Sequence, residues 1–203
     1  DIRNDLQLVT AYAELVAERL DEERDARAHL DSLRERAERA AELTVTAGNM
    51  AEVMVRGEQT GRDVSLRETL LPEIEEIREA YPGATVSVEG TVPATTVAAD
   101  EMLDSVFRNL LENAVQHHED GSPTVTVGCV EDDASVRVSV SDDGPGVPDD
   151  RKEVIFGKGE KGLDSEGTGL GLHLARTLVA SYGGEVRVAD DDSEGATFVV
   201  ELP

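Results

Sequence analysis

The sequence has no long hydrophobic run and only one cysteine. Among its 203 residues no apolar stretch approaches the roughly 18 residues that a membrane span requires, and no signal peptide opens the chain. We therefore expect a soluble segment in a reducing cytoplasm, and a sensing or membrane-anchored part upstream stays open. The single cysteine, Cys129, excludes a disulfide within the chain and is typical of a small core side chain.

Lysine is nearly absent. Lys152, Lys158 and Lys161 are its only occurrences, and 19 basic residues stand against 44 acidic ones, so the formal net charge is −25. Such an excess repels nucleic-acid phosphates and argues against a nucleic-acid partner. Two interpretations stay open: a surface for basic partners, or a protein from a halophile, whose molar salt screens charges beyond about 3 Å. The composition favours the halophile.

Heptad spacing predicts a hairpin of two long helices over residues 1–57. The first apolar seam contains Leu6, Val9, Ala13, Val16 and Leu20. After a charged break, the second contains Leu30, Leu33, Ala37, Ala40, Thr44, Ala47, Ala51 and Met54. One hairpin cannot close a core, so we expect two to form a four-helix bundle in a homodimer. The alternative is that these helices pack on the second domain.

After a short polar linker over 57–63 the apolar period changes, which predicts a second domain over 62–203. The predicted helices span 66–81, 100–117 and 168–182. The predicted strands span 84–89, 95–98, 124–130, 135–141, 185–189 and 196–202. Elements mixed in this way favour a two-layer α/β sandwich, with a mixed sheet and helices over one face. The chain is thus expected to be an α+β protein of two domains.

Three boxes rich in asparagine and glycine follow one another in the second domain. They are Asn109-Leu-Leu-Glu-Asn113-Ala, Asp142-Asp-Gly144-Pro-Gly146 and Gly167-Thr168-Gly169-Leu170-Gly171. Each box alone is a weak signal, because glycine-rich pieces mostly mark turns. Together they supply the parts of an ATP site: a metal ligand, a carboxylate that reads adenine and amides that hold phosphate.

The first box places two amides on one helical face. Asn109 and Asn113 are four residues apart, so both side chains project from the same side of a helix. Amide oxygens are hard, neutral ligands that suit Mg²⁺, which shares its shell with water and phosphate oxygens. The alternative, a hydrogen-bonded pair that packs helices, stays open.

The second box offers a carboxylate at a strand end. Asp142 can accept a hydrogen bond from the exocyclic amino group of adenine, where guanine offers a carbonyl. Gly144 and Gly146 let the backbone approach the base, because they have no Cβ. An ordinary Asp-Gly turn is the alternative.

The third box is predicted to open a helix, whose free amides and dipole bind phosphate. It lacks the lysine and hydroxyl of a Walker A loop, and no dinucleotide fingerprint follows a strand here. The preceding loop, 147–166, contains Gly157, Gly159 and Gly162, which suit a mobile lid over nucleotide. Lys158 and Lys161 place positive charge there, where a triphosphate needs it.

The order of the boxes resembles the ATPase superfamily of sensor histidine kinases, type II topoisomerases, heat-shock chaperones and mismatch-repair ATPases. The resemblance implies a Bergerat-type fold that binds ATP, with Mg²⁺ held by Asn113. Phe156 resembles the phenylalanine box of histidine kinases, and Thr197 lies in a stretch like the third glycine box, which helps to hold adenine. Members that hydrolyse ATP carry a glutamate as general base where this chain has Asn109. An amide cannot take a proton at neutral pH, so phosphotransfer to a side chain is favoured over hydrolysis.

The first residues resemble the phosphotransfer box of a sensor histidine kinase from its second position onward. The acceptor histidine is therefore expected just before Asp1. The resemblance implies that Asp1 is its general base and that Asn4 orients water for dephosphorylation of a response regulator receiver domain. An upstream sensor domain is also implied. The alternatives are a degenerate nucleotide switch or phosphatase module without autokinase activity, and a hydrolytic clamp that uses Glu112.

Overall fold

The computed structural model describes most of the residues from 62 to 203, the range of the predicted second domain. The described residues are 62–116, 122–132, 134–157, 170–189 and 195–203, together with Ala37, Ala40, Thr44 and Gly48. The last four are helical, as the heptad pattern predicts, and the Thr44 hydroxyl donates to the Ala40 carbonyl at 2.8 Å. The rest of the predicted hairpin, with Asp1 and Asn4, lies outside the described residues, so the bundle stays a prediction.

None of the helices in these ranges combines the length and the apolar character that crossing a bilayer demands.

A mixed five-stranded sheet forms the centre of the domain. The described residues form strands in two sheets: β1 Arg62–Ser65, β2 Thr85–Glu89, β3 Thr96–Ala99, β4 Thr124–Glu131, β5 Val136–Asp142, β6 Glu185–Val188 and β7 Thr197–Leu202. The sheet order is β2-β4-β5-β7-β6. β2 runs parallel to β4, and the other neighbours are antiparallel. β1 and β3 form a separate antiparallel pair.

Three helices lie beside this sheet: α1 Leu66–Ala80, α2 Leu103–Gln116 and α3 Gly171–Ser181. On β5, Val136, Val138 and Val140 are buried, whereas Arg137 is exposed and Ser139 is partly exposed. This period of two shows that one sheet face meets the core. The core also contains leucines and other large side chains from all three helices, each of which stabilises the fold by about 1.5–3 kcal/mol when fully buried. The predicted two-layer sandwich is confirmed.

Local signals set the ends of the helices. α1 begins after Ser65, whose hydroxyl accepts from the Glu68 amide at 3.4 Å. The helix predicted over 100–117 begins only at Leu103, after a turn in which the Asp100 carboxylate accepts from the Met102 amide at 2.9 Å.

Asp100 also joins the two helices that carry the first and third boxes. The hydroxyl of Tyr182, the residue that follows α3, donates to the Asp100 carboxylate beside the start of α2. Burial raises the pKa of Tyr182, and the Asp100 carboxylate raises it further, so the hydroxyl keeps its proton. The end of α3 is thus fixed to the beginning of α2.

Besides the later start of α2, two further elements differ from their predictions. α3 begins at Gly171 rather than at 168, because Leu170 lies outside the helix. Arg62 and Asp63, predicted to belong to the linker, lie in β1, where they pair with Ala99 and Ala98. The partner strand β3 begins more than thirty residues later, and no local pattern predicts that the two strands pair.

An ion pair between the buried Glu73 and the partly exposed Arg108 fastens α1 to α2. Glu73 is 5% exposed, and its carboxylate accepts from Arg108 at 2.9 and 3.1 Å. Arg108 also lies 3.1 Å from the exposed carboxylate of Glu76. Burial raises the pKa of Glu73, and the hydrogen bond and charge of Arg108 offset only part of that rise.

Arg108→Met is expected to destabilise the domain in a pH-dependent way. A carboxyl whose pKa is raised by folding contributes full stability below its unfolded pKa, and this contribution is lost as the pH rises through the folded pKa. Without Arg108 the pKa of Glu73 rises further. We expect a loss of about 1–3 kcal/mol of unfolding free energy at pH 7, moderated by the partial exposure of Arg108, and a much smaller loss below about pH 4.

Urea unfolding of the variant and the parent at both pH values measures this difference. Glu76→Gln is the control, because it removes the exposed partner of the same arginine and should change stability by no more than about 0.5 kcal/mol. A loss for Arg108→Met that is equal at both pH values would show that Glu73 is not the group responsible.

Candidate functional site

The carboxylate of Asp142 is held where β5 meets β7. Its Oδ1 accepts from the Gly144 amide at 2.9 Å and from the Ala196 amide at 3.2 Å. The Asp142 amide in turn donates to the Ala196 carbonyl at 2.9 Å. Hydrogen bonds from two main-chain amides orient the side chain before any ligand arrives, as the predicted reader of adenine requires.

Two glycines let three chain segments meet backbone to backbone around Asp142. Gly146 has a φ of 73°, and a Cβ there would lie 2.8 Å from the Gly195 carbonyl oxygen. Gly195 has a φ of 113°, and a Cβ there would lie 1.9 Å from the Asp142 carbonyl oxygen. Side chains at either position would be strained and would also push these segments apart. The glycines therefore shape the site even where they touch no ligand.

The first and third boxes meet where α2 contacts α3. Asn109 Nδ2 donates to the Ser105 carbonyl at 2.6 Å, within its own helix. A Cβ on Gly171 would lie 2.3 Å from Asn109 Oδ1, so the amide occupies the space that glycine leaves. Asn109 thus brings the first turn of α3 against α2. Its predicted contact with nucleotide stays a prediction.

Asn113 lies one turn further along α2 and is partly exposed, and the described residues make no hydrogen bond with its side chain. Within the described ranges, no group of three or more His, Cys, Asp or Glu side chains could hold a metal ion. The amide oxygen of Asn113 is a hard, neutral donor that fits Mg²⁺, which keeps water and phosphate in its shell.

Phe156 is buried under α3. Its ring meets that of Phe198 edge to face at 6.3 Å, and the Arg176 guanidinium lies 5.7 Å from its centre. Arg176 also lies 3.5 Å from the Glu153 carboxylate. The main-chain carbonyl of Phe156 forms a hydrogen bond with His173 Nδ1 at 2.9 Å. Phe156 is only 3% exposed, so its side chain belongs to the core.

His173 belongs to none of the three boxes, and sequence reasoning assigned it no role in the site. The only feature of the sequence that could have pointed to His173 is its position in the first turn of the helix that the third box opens.

Thr197 lies on the other face of the sheet from Phe198. Its hydroxyl donates to the Ser141 hydroxyl at 3.0 Å, and the two residues are paired across β5 and β7. In the third glycine stretch the main-chain amide of Ala196 is the group that reaches Asp142. The proposed contact of the Thr197 side chain with adenine is untested, and its alternation on β7 places it away from this carboxylate.

The remaining predicted ligands are described only in part. Leu170 and Gly171 stand at the start of α3, and the Leu170 carbonyl accepts from the Leu174 amide at 2.8 Å. Lys158, Lys161, Gly167, Thr168 and Gly169 lie outside the described residues.

A pocket of about 570 Å³ adjoins the second box but is not lined by its key carboxylate. Its walls are residues 143–149, Lys152, 188–189 and 195–197. Asn109, Asn113 and Asp142 do not line it. The boxes, rather than this pocket, define the candidate site.

The family model described as "Histidine kinase-, DNA gyrase B-, and HSP90-like ATPase" matches residues 98–203. The adaptive-response sensory kinase SasA of Nostoc sp. strain PCC 7120 is 30% identical over 167 residues, which are 79% of this chain and 41% of that kinase. The chain spans 35–41% of the length of the first two SasA kinases that it matches.

Two solved structures resemble the chain over nearly its whole length. Full-length ShkA in complex with AMPPNP matches with a TM-score of 0.66 at 26% identity, covering 99% of this chain and 43% of that chain. Histidine kinase ThkA in complex with the response regulator protein TrrA matches with a TM-score of 0.67, covering 100% of this chain and 58% of that chain. At 20% identity the second likeness shows the fold alone.

Gly146→Ala should destabilise the protein more than Gly90→Ala. Both glycines have a φ of 73°, but a Cβ on Gly90 meets nothing within 4 Å, whereas one on Gly146 meets the Gly195 carbonyl. We expect about 1 kcal/mol of lost unfolding free energy for Gly90→Ala and about 1–3 kcal/mol more for Gly146→Ala. Chemical denaturation of the two variants measures the difference, and equal losses would contradict a close approach of the second box to Gly195.

Proposed function

The chain belongs to the histidine kinase-, DNA gyrase B- and HSP90-like ATPase family, and from that premise we propose that it is the catalytic core of a sensor histidine kinase. Its ATPase domain is of the type found in sensor kinases of two-component systems. The proposed reaction transfers the γ-phosphoryl group of ATP to a histidine immediately before Asp1, and then to an aspartate of a response regulator.

The observation that carries this proposal is Asn109. It stands where the hydrolysing members of the superfamily are expected to carry a general base, and its side chain is a neutral amide. Its Nδ2 donates to the Ser105 carbonyl, and its Oδ1 lies against Gly171. An amide held between two helices takes no proton from water, which supports transfer to a side chain rather than hydrolysis.

Each end of the nucleotide has proposed partners in this chain. Asp142, oriented by the amides of Gly144 and Ala196, accepts from the amino group of adenine. Asn113 supplies an amide oxygen to Mg²⁺, whose charge offsets that of the phosphates when it is bound. The proposed phosphate ligands are the box amides and two lysines: Gly167, Thr168, Gly169, Leu170, Gly171, Lys158 and Lys161. In such a transfer the protein mainly positions the groups and neutralises charge.

The partners proposed for the whole protein follow from the expected hairpin. We propose a homodimer through residues 1–57, in which Asp1 activates the acceptor histidine and Asn4 orients water for dephosphorylation. A receiver domain is the proposed second acceptor, since ThkA, which shares the fold, is seen with a response regulator. The net charge of −25 supports a halophilic source.

Asp142→Asn tests the proposed recognition of adenine by Asp142 without removing the side chain. The Asn oxygen can still accept from Gly144 and Ala196, but a side-chain NH₂ group replaces the second carboxylate oxygen. We expect Mg·ATP affinity to fall about 10- to 100-fold and the preference for ATP over GTP to shrink, with the unfolding midpoint nearly unchanged. Asn113→Ala should weaken Mg·ATP binding similarly.

Calorimetric titration measures these affinities. Asp150→Ala, a nearby exposed aspartate, is the matched control and should bind as the parent does. Parental affinity in both Asp142→Asn and Asn113→Ala would reject the site.

Autophosphorylation tests the reaction itself. A protein that starts upstream of Asp1 in its natural sequence should incorporate the γ-phosphoryl group of ATP as a phosphohistidine, which is labile to acid and stable to base. The 203-residue chain alone should bind ATP without forming this product, because the expected acceptor lies before its first residue. If the extended protein binds ATP but acquires no label, the alternative of a nucleotide switch or phosphatase module replaces the kinase.

A further inference from the structure

His173 makes a contact that none of the nucleotide boxes includes. Its Nδ1 lies 2.9 Å from the carbonyl oxygen of Phe156. A carbonyl oxygen only accepts hydrogen bonds, so Nδ1 carries the proton and donates. The bond is therefore compatible with one neutral tautomer and with the charged ring. It ties the first turn of α3 to a residue 17 positions earlier in the chain.

Arg176 holds the other side of the same residue. It lies one turn further along α3, with its guanidinium 5.7 Å from the centre of the Phe156 ring. The same guanidinium lies 3.5 Å from the carboxylate of Glu153, in the turn that leads into Phe156. The ring itself rests against Phe198 in the core. Main chain and side chain of Phe156 are thus both fastened to α3.

The first turn of α3 is consequently held from two sides. On one side Gly171 lies against the amide of Asn109 on α2. On the other side His173, two residues later, is bonded to Phe156. The amides of a first helical turn have no partner within the helix, and their direction follows the placement of that turn. Loss of one of these contacts would therefore shift the amides of the first turn of α3 without creating a cavity in the core.

We propose that His173 is a positioning residue for the phosphate groups of the nucleotide. It sets the first turn of α3, by its hydrogen bond to the Phe156 carbonyl, so that the amides of this turn, beginning at Gly171, face the phosphates. Arg176 supports the same placement through the Phe156 ring. This inference rests on the proposed function, and it concerns the phosphates rather than adenine, whose proposed partner Asp142 lies on β5.

The test compares His173→Leu with His173→Asn. Leucine keeps a branched side chain of similar reach but has no donor. Asparagine places Nδ2–H at the same number of bonds from the backbone as Nδ1–H of histidine, so it can restore the bond to Phe156. The control is Ser181→Ala, which removes a hydroxyl bonded to the Leu178 carbonyl at 2.6 Å, at the other end of α3.

Two probes separate the phosphates from the base: Mg·AMPPNP, measured by calorimetry, and adenosine, measured by chemical-shift titration. We expect His173→Leu to bind Mg·AMPPNP about 5- to 10-fold more weakly and to bind adenosine within about twofold of the parent. His173→Asn should recover most of the AMPPNP affinity, and Ser181→Ala should match the parent with both probes.

The possible failures are distinguishable. If the parent binds neither probe, the proposed function fails, and this inference fails with it. If the parent binds Mg·AMPPNP and His173→Leu binds it equally well, the function stands and the role of His173 is rejected. An equal loss of both probes, or an equal loss in the Leu and Asn variants, also rejects it, because the effect is then a general loss of packing.

Discussion

The close contact between the end of β5 and the start of β7 is the constraint on which the rest of the site depends. The Asp142 amide donates to the Ala196 carbonyl, and the Ala196 amide donates in turn to the Asp142 carboxylate and orients it. This works only because Gly195 has no Cβ to strike the Asp142 carbonyl. Gly146 then packs on Gly195 for the same reason. One sheet pairing thus fixes the second box and the third glycine stretch together.

The helical layer repeats this principle at a second place. Gly171 leaves room for the Asn109 amide, so α3 starts directly against α2. At the other end of α3, Tyr182 is bonded to Asp100 beside the beginning of α2. α3 is therefore fastened at both of its ends, to the middle of α2 and to the residue Asp100 that precedes α2. The sheet orients the proposed contact with the base, and the paired helices orient the proposed contacts with metal and phosphate.

The sequence predicted the features that are local. Helices and strands of the second domain appear close to their predicted bounds, because periodicity and turn residues act within a few positions. β1 was missed because its only partner in the described sheets, β3, lies far along the chain. His173 was missed for a similar reason: its contact with Phe156 depends on how α3 lies on the core. The hydrogen bond of Thr197 to Ser141 follows from the pairing of β7 with β5, which the residues next to Thr197 do not reveal.

The parallel pairing of β2 with β4 has a consequence for how the chain folds. Thr85 is in register with Thr124, so this edge of the sheet forms only after a long intervening segment, including α2, has been placed. Contacts so distant in sequence form late, since loop closure costs entropy before the contact is made. During synthesis β2 leaves the ribosome well before its partner. Its exposed residues Thr85, Ser87 and Glu89 are polar, which discourages the strand from pairing with another chain before β4 has been synthesised.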